Sequence, residues 1–470
     1  MLDKDTRLVV ISNRVAVPKA RGAAGAQGGL AGALNAALTQ TGGLWFGWSG
    51  EEHPDPAVEP KVGVYDGVTM ATIDLLPQDV EEYYNGYANS TLWPLFHYRI
   101  DLTAYERDFA MGYERVNERF AVSVAPLIKP DDVIWVHDYH LIPLGERLRE
   151  RGFKNRMGFF LHIPWPPTRL FVSLPYHERL VRTMLSYDLV GFQCGEWLES
   201  FLHYCRKELG ANVDEQTGRI DLDGQTTIAR AYPIGIDYDH FMAQGVTGEA
   251  RQTAQRVLSS TRRRTAMIGV DRLDYSKGLP ERLDGIGRFF DRFPERVDDL
   301  VFIQIAPPSR EDIGSYQQIR ALLEQKTGQI NGARSKIDIV PIRYVNQGHT
   351  TAQLFGCYHA CKIGLVTPLR DGMNLVAKEY VAAQDPEDPG VLILSMFAGA
   401  AQQLDAALLV NPHSPDDIAS NIRLALEMDR AERKERWEQL IVTVRDDNVQ
   451  RWTENFTGDL ATVGRLVGGG

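Results

Sequence analysis

The segment Thr367-Pro368-Leu369-Arg370-Asp371-Gly372-Met373-Asn374-Leu375-Val376-Ala377-Lys378-Glu379-Tyr380 concentrates the residues best suited to chemistry. An apolar run at 363–366 enters a turn bearing Pro368 and Gly372, and a helical pattern begins near Asn374. Strand, glycine turn and helix start make an anion seat, because the first amides of a helix lack internal partners and the helix dipole favours negative charge there. Glu379 falls about one and a half turns into that helix, where a carboxylate suits a vicinal diol such as a ribose. Phosphate plus ribose reads as nucleotide, with Asp371 left to hold a sugar hydroxyl. A second segment, Asp271-Arg272-Leu273-Asp274-Tyr275-Ser276-Lys277-Gly278, also follows an apolar run. Arg272 and Lys277 at such a strand end suit a diphosphate leaving group. Either segment alone also reads as an ordinary charged βα loop. Two of them in one half of the chain, both fitted to the same diphosphate, favour a site.

The other half carries a different set. Ser12-Asn13-Arg14 closes the first apolar run, and Gln27-Gly28-Gly29-Leu30 opens a helix. A guanidinium at Arg14 suits a phosphate, and Gly28 and Gly29 allow a ligand close to the backbone. This is not the Gly-x-Gly-x-x-Gly dinucleotide pattern, so a nicotinamide cofactor has little support. Asp138 and His162 end successive strands on the same side of one sheet, where they suit sugar hydroxyls or proton exchange. His137 and His140 read as structural. Tyr83, Tyr84 and Trp93, with Asn85 and Asn89, offer aromatic faces for a sugar ring or a packed core. Arg310 follows Pro307-Pro308-Ser309 at another strand end, whereas Arg262, Arg263 and Arg264 precede a strand and read as solvated. No Ser/His/Asp nucleophile elbow and no Gly-x-x-x-x-Gly-Lys loop occurs. Cys357 and Cys361 flank His359 but lack a second pair of ligands, so they read as buried helix thiols. The sequence points to metal-independent chemistry, with Arg272 and Lys277 in place of a cation.

Elements must hold these residues in place. A length of 470 residues exceeds what one hydrophobic core usually supports, so two domains are expected. Apolar and charged fractions of 44% and 24% are ordinary for a globular protein, and a net charge of −11 argues against a general nucleic-acid binder. Four cysteines suit a reducing cytoplasm, no apolar run reaches membrane-spanning length, and no signal peptide is visible. Runs at 8–12, 133–137, 157–162 and 189–193 predict strands of a first unit; runs at 266–270, 301–305, 363–366, 391–395 and 407–410 predict strands of a second. Continuous apolar strands alternating with helices imply parallel sheets covered on both faces. Tyr232-Pro233-Ile234-Gly235-Ile236-Asp237 looks like the hinge. The expected fold is α/β, with two parallel-sheet domains joined near 235 and a cleft at the carboxyl ends of their sheets.

Taken in order, Ser12-Asn13-Arg14, Gly43-Leu44-Trp45-Phe46-Gly47-Trp48, Leu92-Trp93-Pro94, His137-Asp138-Tyr139-His140, His162-Ile163-Pro164, Arg272 to Gly278 and Arg370 to Leu375 resemble the trehalose-6-phosphate synthases. These are retaining glycosyltransferases of the GT-B type, and the resemblance covers essentially the whole chain; it implies two Rossmann-like parallel-sheet domains facing a deep cleft, 1–234 and 235–440, with a terminal helix, 441–470, crossing back to the first. It implies transfer of glucose from a nucleotide-glucose, usually UDP-glucose, to glucose 6-phosphate, without a cofactor, by a homodimer or tetramer. It assigns Arg14, Tyr84, Trp93, Asp138 and Arg310 to the acceptor. It assigns Gly28, Gly29, His162, Arg272, Lys277, Asp371, Gly372, Met373, Asn374, Leu375 and Glu379 to the donor, with His162, Arg272, Lys277 and Asp371 catalytic. Trp165 departs mildly from a frequent Phe. No carboxylate stands out as a covalent nucleophile, which favours front-face substitution. A relative joining another donor and acceptor, a sugar-nucleotide epimerase and a non-catalytic sugar-phosphate sensor are the competing readings. The residues do not decide the nucleotide base.

Overall fold

The computed structural model describes residues 6–15, 17, 34, 38, 43–261, 264–309 and 314–467. They fall into two compact units, 1–234 with 449–470, and 235–448.

The first unit is built on ten strands: β1 (Leu8–Arg14), β2 (Leu44–Glu52), β3 (Lys61–Tyr65), β4 (Val68–Leu75), β5 (Val133–His137), β6 (Met157–Phe160), β7 (Leu189–Phe192), β8 (Asn212–Asp214), β9 (Arg219–Leu222) and β10 (Gln225–Ala231). Their order is β3-β4-β2-β1-β5-β6-β7-β10-β9-β8. The run from β4 to β10 is parallel, while β3, β9 and β8 join antiparallel at the edges. β5, β6 and β7 are buried along their whole length, as strands covered on both faces must be. The chain order reverses between β1 and β5, and Arg14 and Asp138 stand at the carboxyl ends of that pair. Such a switch point is where open α/β sheets bind ligands.

The second unit has six parallel strands: β11 (Thr265–Val270), β12 (Leu300–Ile305), β13 (Ile342–Val345), β14 (Ile363–Val366), β15 (Val391–Ser395) and β16 (Leu408–Val410). Their order, β13-β12-β11-β14-β15-β16, is the 3-2-1-4-5-6 arrangement of a Rossmann sheet. Its switch point lies between β11 and β14, the two strands that lead into the Arg272–Lys277 and Asp371–Glu379 segments.

The helix Val449–Val467 packs on the first unit. Val449, Trp452, Phe456, Leu460 and Val463 form its buried stripe, and Phe456 stacks on Trp135 with ring centroids 4.7 Å apart. Gly158 of β6 and Gly191 of β7 make room for it: a Cβ at either would lie within 2.8 Å of the Phe456 ring. Residues 441–448, assigned by the sequence reading to the terminal helix, lie instead with the second unit. Arg430–Asp446 is one uninterrupted helix capped by Asp429, so no break falls at 440.

Other elements escaped the sequence reading. β8, β9 and β10 carry polar residues at many positions, and only Ile342 of β13 is buried, so none reads as a continuous apolar run. Arg264 is half-buried and donates to the carbonyls of Thr261 and Val340 at 3.2 and 3.1 Å, while Arg262 and Arg263 lie outside the described residues. Among the described residues no helix is long and apolar enough to cross a membrane.

Candidate active site

In the second unit two loops are welded together before any ligand is considered. Gly278 sits at φ +63°, and a Cβ there would be 2.3 Å from the Thr367 carbonyl oxygen; the Leu369 amide donates to the Ser276 carbonyl at 2.8 Å. The turn after β14 is braced from its other side. The Asp371 amide donates to Phe397, Gly399 donates to the Asp371 carbonyl and Ala400 to the Met373 carbonyl, at 2.8–3.2 Å. Asn374 then takes φ +87° and ψ +91°, a strained setting for a non-glycine residue, and its side chain accepts the Ala377 amide at 3.1 Å. That cap starts the helix Leu375–Ala382. Backbone strain of this kind collects at ligand sites, where the surroundings hold it in place.

Lys277 and Asp371, given separate tasks by the sequence reading, form an ion pair here. Lys277 Nζ lies 2.5 Å from Asp371 Oδ2, each side chain is 13% exposed, and Asn374 Nδ2 donates to the same carboxylate oxygen at 3.0 Å. Arg272 on the same loop is exposed. Gly372 and Met373 are buried in the turn, and Leu375 is half-buried at the helix start. Glu379 accepts the Tyr358 hydroxyl at 3.3 Å, and burial raises its carboxyl from 4.5 to about 7.

That shift has a sign. A carboxyl whose folded pKa is raised stabilises the fold fully below its unfolded value and loses that contribution as pH rises through about 7. Glu379→Gln is therefore expected to flatten the fall in Tm between about pH 4.5 and 7, read by thermal unfolding across that window.

Beneath these loops lies a residue that the sequence reading missed. Arg282 is fully buried and donates to Asp271 at 2.7 Å, to Thr367 at 2.9 Å and to Gln304 at 3.0 Å. It joins segments at the carboxyl ends of β11, β12 and β14. Its signal was present: it shares the apolar face of its helix with Leu279, Leu283 and Ile286, at helical spacing. Lys378 is likewise fully buried, donates to Gln403 at 2.7 Å, and has its amine lowered to about 7 by burial.

The first unit gathers aromatic and polar groups around the end of β1. Asn13 accepts the Tyr83 hydroxyl at 2.8 Å, which anchors the helix Val80–Leu92, thirteen residues wound in the wide π form. Long π segments are rare and favour functional sites. Tyr84 from that helix packs edge-on to Trp48 and stacks on His140 at 5.9 Å, and the Arg14 guanidinium lies over Trp48 at 4.9 Å. Gly50, beside the Arg14 guanidinium, takes φ +89°, a backbone setting that favours glycine. Trp93 packs on His97 and Tyr139. Asp138 has φ +76° and ψ +165°, a region that favours glycine, and its side chain accepts the His162 amide at 3.2 Å. His162 meets His137 at 3.1 Å and Gln193 at 3.2 Å through its two ring nitrogens, and burial lowers it from 6.5 to about 3. His137, read as structural, thus touches a candidate site residue. Gly28, Gly29 and Arg310 lie outside the described residues. Among the described residues no group of three or more His, Cys, Asp or Glu is placed to hold a metal ion.

Comparison with known proteins completes the picture. The glycosyltransferase family 20 model matches residues 6–462. The chain belongs to glycosyltransferase family 20. Family relatives include the trehalose-6-phosphate synthase of Sinorhizobium fredii, 46% identical over 460 residues, covering 97% of this chain and 98% of that one. The trehalose-6-phosphate synthase of an Enterobacter species is 43% identical over 455 residues, covering 97% and 95%. Among solved family structures, the UDP-forming α,α-trehalose-phosphate synthase of Burkholderia xenovorans, in complex with glucose-6-phosphate, matches with a TM-score of 0.93. It is 46% identical, with 97% of this chain and 100% of that one covered. An E. coli family structure bound with UDP-2-fluoro glucose matches with a TM-score of 0.91 at 42% identity, covering 97% and 99%. The α/β fold with two parallel-sheet units is that of these relatives.

Proposed function

We infer that the chain is a retaining glucosyltransferase that moves glucose from UDP-glucose to glucose 6-phosphate, forming α,α-trehalose 6-phosphate and UDP. The observation that carries this reading is the second unit's switch point, where Lys277, Asp371 and the strained Asn374 turn form a preorganised anion seat one turn from Glu379. Relatives described as UDP-forming, and solved with glucose-6-phosphate or a UDP-glucose analogue, support the donor and acceptor. Arg272 and Lys277 bind the diphosphate and stabilise the charge that grows on it as the glycosidic bond breaks. The amides of Gly372, Met373 and Asn374 hold donor oxygens, Leu375 opens the helix behind them, and Glu379 takes the ribose diol. Asp371 serves a donor hydroxyl while keeping Lys277 aimed. His162, kept neutral by burial, contacts the donor glucose. Arg14 and Arg310 hold the acceptor phosphate, Tyr84, Trp93 and Asp138 line the acceptor sugar, and Gly28 and Gly29 admit the donor to the backbone. Substitution occurs on one face: the bond from the anomeric carbon to the phosphate oxygen breaks, the acceptor's hydroxyl oxygen bonds that carbon from the same side, and the departing phosphate oxygen takes the hydroxyl's proton. No metal or cofactor takes part. The chain works in the cytoplasm as a dimer or tetramer; its four buried free cysteines suit a reducing compartment.

The test is incubation of the purified chain with glucose 6-phosphate and UDP-, GDP- or ADP-glucose in the presence of EDTA. Disaccharide phosphate is read by mass and its anomeric configuration by NMR. An α,α-1,1-linked product with UDP released is expected; no disaccharide phosphate from any donor overturns the reading.

A further inference from the structure

Tyr358 is 1% exposed and stands in the helix Thr351–Ala360, beside the helix that carries Glu379. Side-chain bonds fasten the two segments at this level. Gln384 donates through its amide nitrogen to the carbonyls of Tyr358 at 2.9 Å and Tyr380 at 3.0 Å, and its oxygen accepts the Gly390 amide at 2.9 Å. The Tyr380 hydroxyl donates to the Cys361 carbonyl at 3.1 Å, and its ring meets the Tyr358 ring edge to face. The Tyr358 ring is thus held where its hydroxyl reaches one oxygen of Glu379, Oε2, at 3.3 Å. Glu379 is half-buried, and its other oxygen, Oε1, has no hydrogen-bond partner among the described residues. A carboxylate has about four lone-pair sites, of which the Tyr358 hydroxyl takes one, so both oxygens can still accept from a ligand. Burial raises this carboxyl to about 7 and the Tyr358 bond opposes the rise, so the hydroxyl favours the ionised form, which only accepts.

We propose that Tyr358 is a positioning residue for the nucleotide donor: its hydroxyl fixes the plane of the Glu379 carboxylate, and so makes the site tell a ribose, with two neighbouring hydroxyls, from a 2′-deoxyribose, with one. The proposal rests on the reading of Glu379 as the ribose ligand. The last torsion of a glutamate side chain is broad and roughly two-fold, so a carboxylate tied at no point has no fixed plane. A vicinal diol presents its two protons in one fixed geometry, and both are met together only if the two oxygens already lie in the matching plane. Order present before binding is order that the donor need not impose. A phenylalanine at 358 would keep the ring and its packing but leave the carboxylate free to turn.

The variants Tyr358→Phe, Glu379→Ala and the two combined test this in the full-length chain, with UDP-glucose and its 2′-deoxyuridine counterpart as alternative donors. In Tyr358→Phe, KM for UDP-glucose is expected to rise about three- to tenfold, while kcat and KM for glucose 6-phosphate stay within about twofold. The ratio of kcat/KM between the two donors should fall by a similar factor, because the deoxy donor has one hydroxyl to lose and the ribose donor two. Calorimetric titration with UDP and 2′-deoxy-UDP should show the same fall in preference, which reads binding even in a slow variant. A merely structural role would weaken both donors alike and leave their ratio at the native value. In the Glu379→Ala background the Phe substitution should change the ratio no further, since the hydroxyl then has no carboxylate to hold. A Phe variant with the native preference overturns the proposal, whatever its absolute rate, and so does a Phe substitution that lowers the preference equally without Glu379. A Glu379→Ala variant that keeps the native preference overturns instead the ribose role of Glu379, and the proposal with it.

Discussion

Replacing Lys277 with alanine is expected to lower kcat/KM for UDP-glucose by about a hundred- to a thousandfold, the range for losing one preorganised electrostatic group at a developing charge. The geometry places the effect toward the upper end. Lys277 and Asp371 pair at 2.5 Å with both side chains largely shielded from water. Without the ammonium, Asp371 keeps its charge and faces an incoming diphosphate. The variant therefore loses an attraction and exposes a repulsion. Asp371→Asn in the Lys277→Ala background removes the repulsion but also weakens the acceptor offered to the donor hydroxyl, so the double variant should lose less than the product of the two single losses. Initial rates with each substrate varied in turn separate the effects, with glucose 6-phosphate KM the internal control. An Ala variant within about threefold of the native chain would remove Lys277 from the donor site.

Arg282→Met is expected to cost about 3–5 kcal/mol of stability, because it strands the buried Asp271 carboxylate. Burial raises the Asp271 carboxyl, and Arg282 and Lys277 pull it back. Burial already prevails in the native chain, and removing the guanidinium raises the carboxyl further, so the folded variant holds a proton on Asp271 that the unfolded chain releases. A folded pKa raised in this way gives stability that is complete below the unfolded value and lost as pH rises. The gap between variant and native protein should thus narrow toward about pH 4, near the ordinary aspartate value. Urea unfolding at several pH values reads it. Asp271→Asn combined with Arg282→Met should recover much of the cost near neutral pH; a double variant no better than the single one would show that the pairing does not account for it.

Much of the donor side was legible because its signals are local. An apolar strand, a glycine turn and an Asn helix cap occupy consecutive positions in 363–380, and the structure forms each where the residues call for it. The acceptor side was less so. Tyr84 and Trp93 could be named, but not the π winding that carries Tyr84, nor the bond by which Asn13, seventy residues earlier, accepts the neighbouring Tyr83 hydroxyl. The Lys277–Asp371 pair spans 94 residues and the Arg282–Thr367 bond 85, distances over which pattern says nothing about contact. The polar strands β8 to β10 have no apolar run to announce them. Asp138 is instructive in another way: its glycine-like backbone, φ +76° and ψ +165°, is a feature that residue type cannot announce.

The return of the last helix gives the chain an order that its length conceals. Residues 235–448 are an insertion into another domain, entering after Ile234 and leaving before Val449. The two ends of that insertion are neighbours: a Cβ on Gly235 would lie 2.0 Å from the Asp447 carbonyl oxygen and 2.5 Å from the Asn448 Cα. A segment with abutting ends can be excised as one piece, or recircularised and reopened elsewhere, without stretching its backbone. Residues 272–379, which hold every described donor-side group assigned to the second unit, would travel with it. In evolutionary terms, residues 235–448 are a cassette, portable in a way that the host domain, split between 1–234 and 449–470, is not.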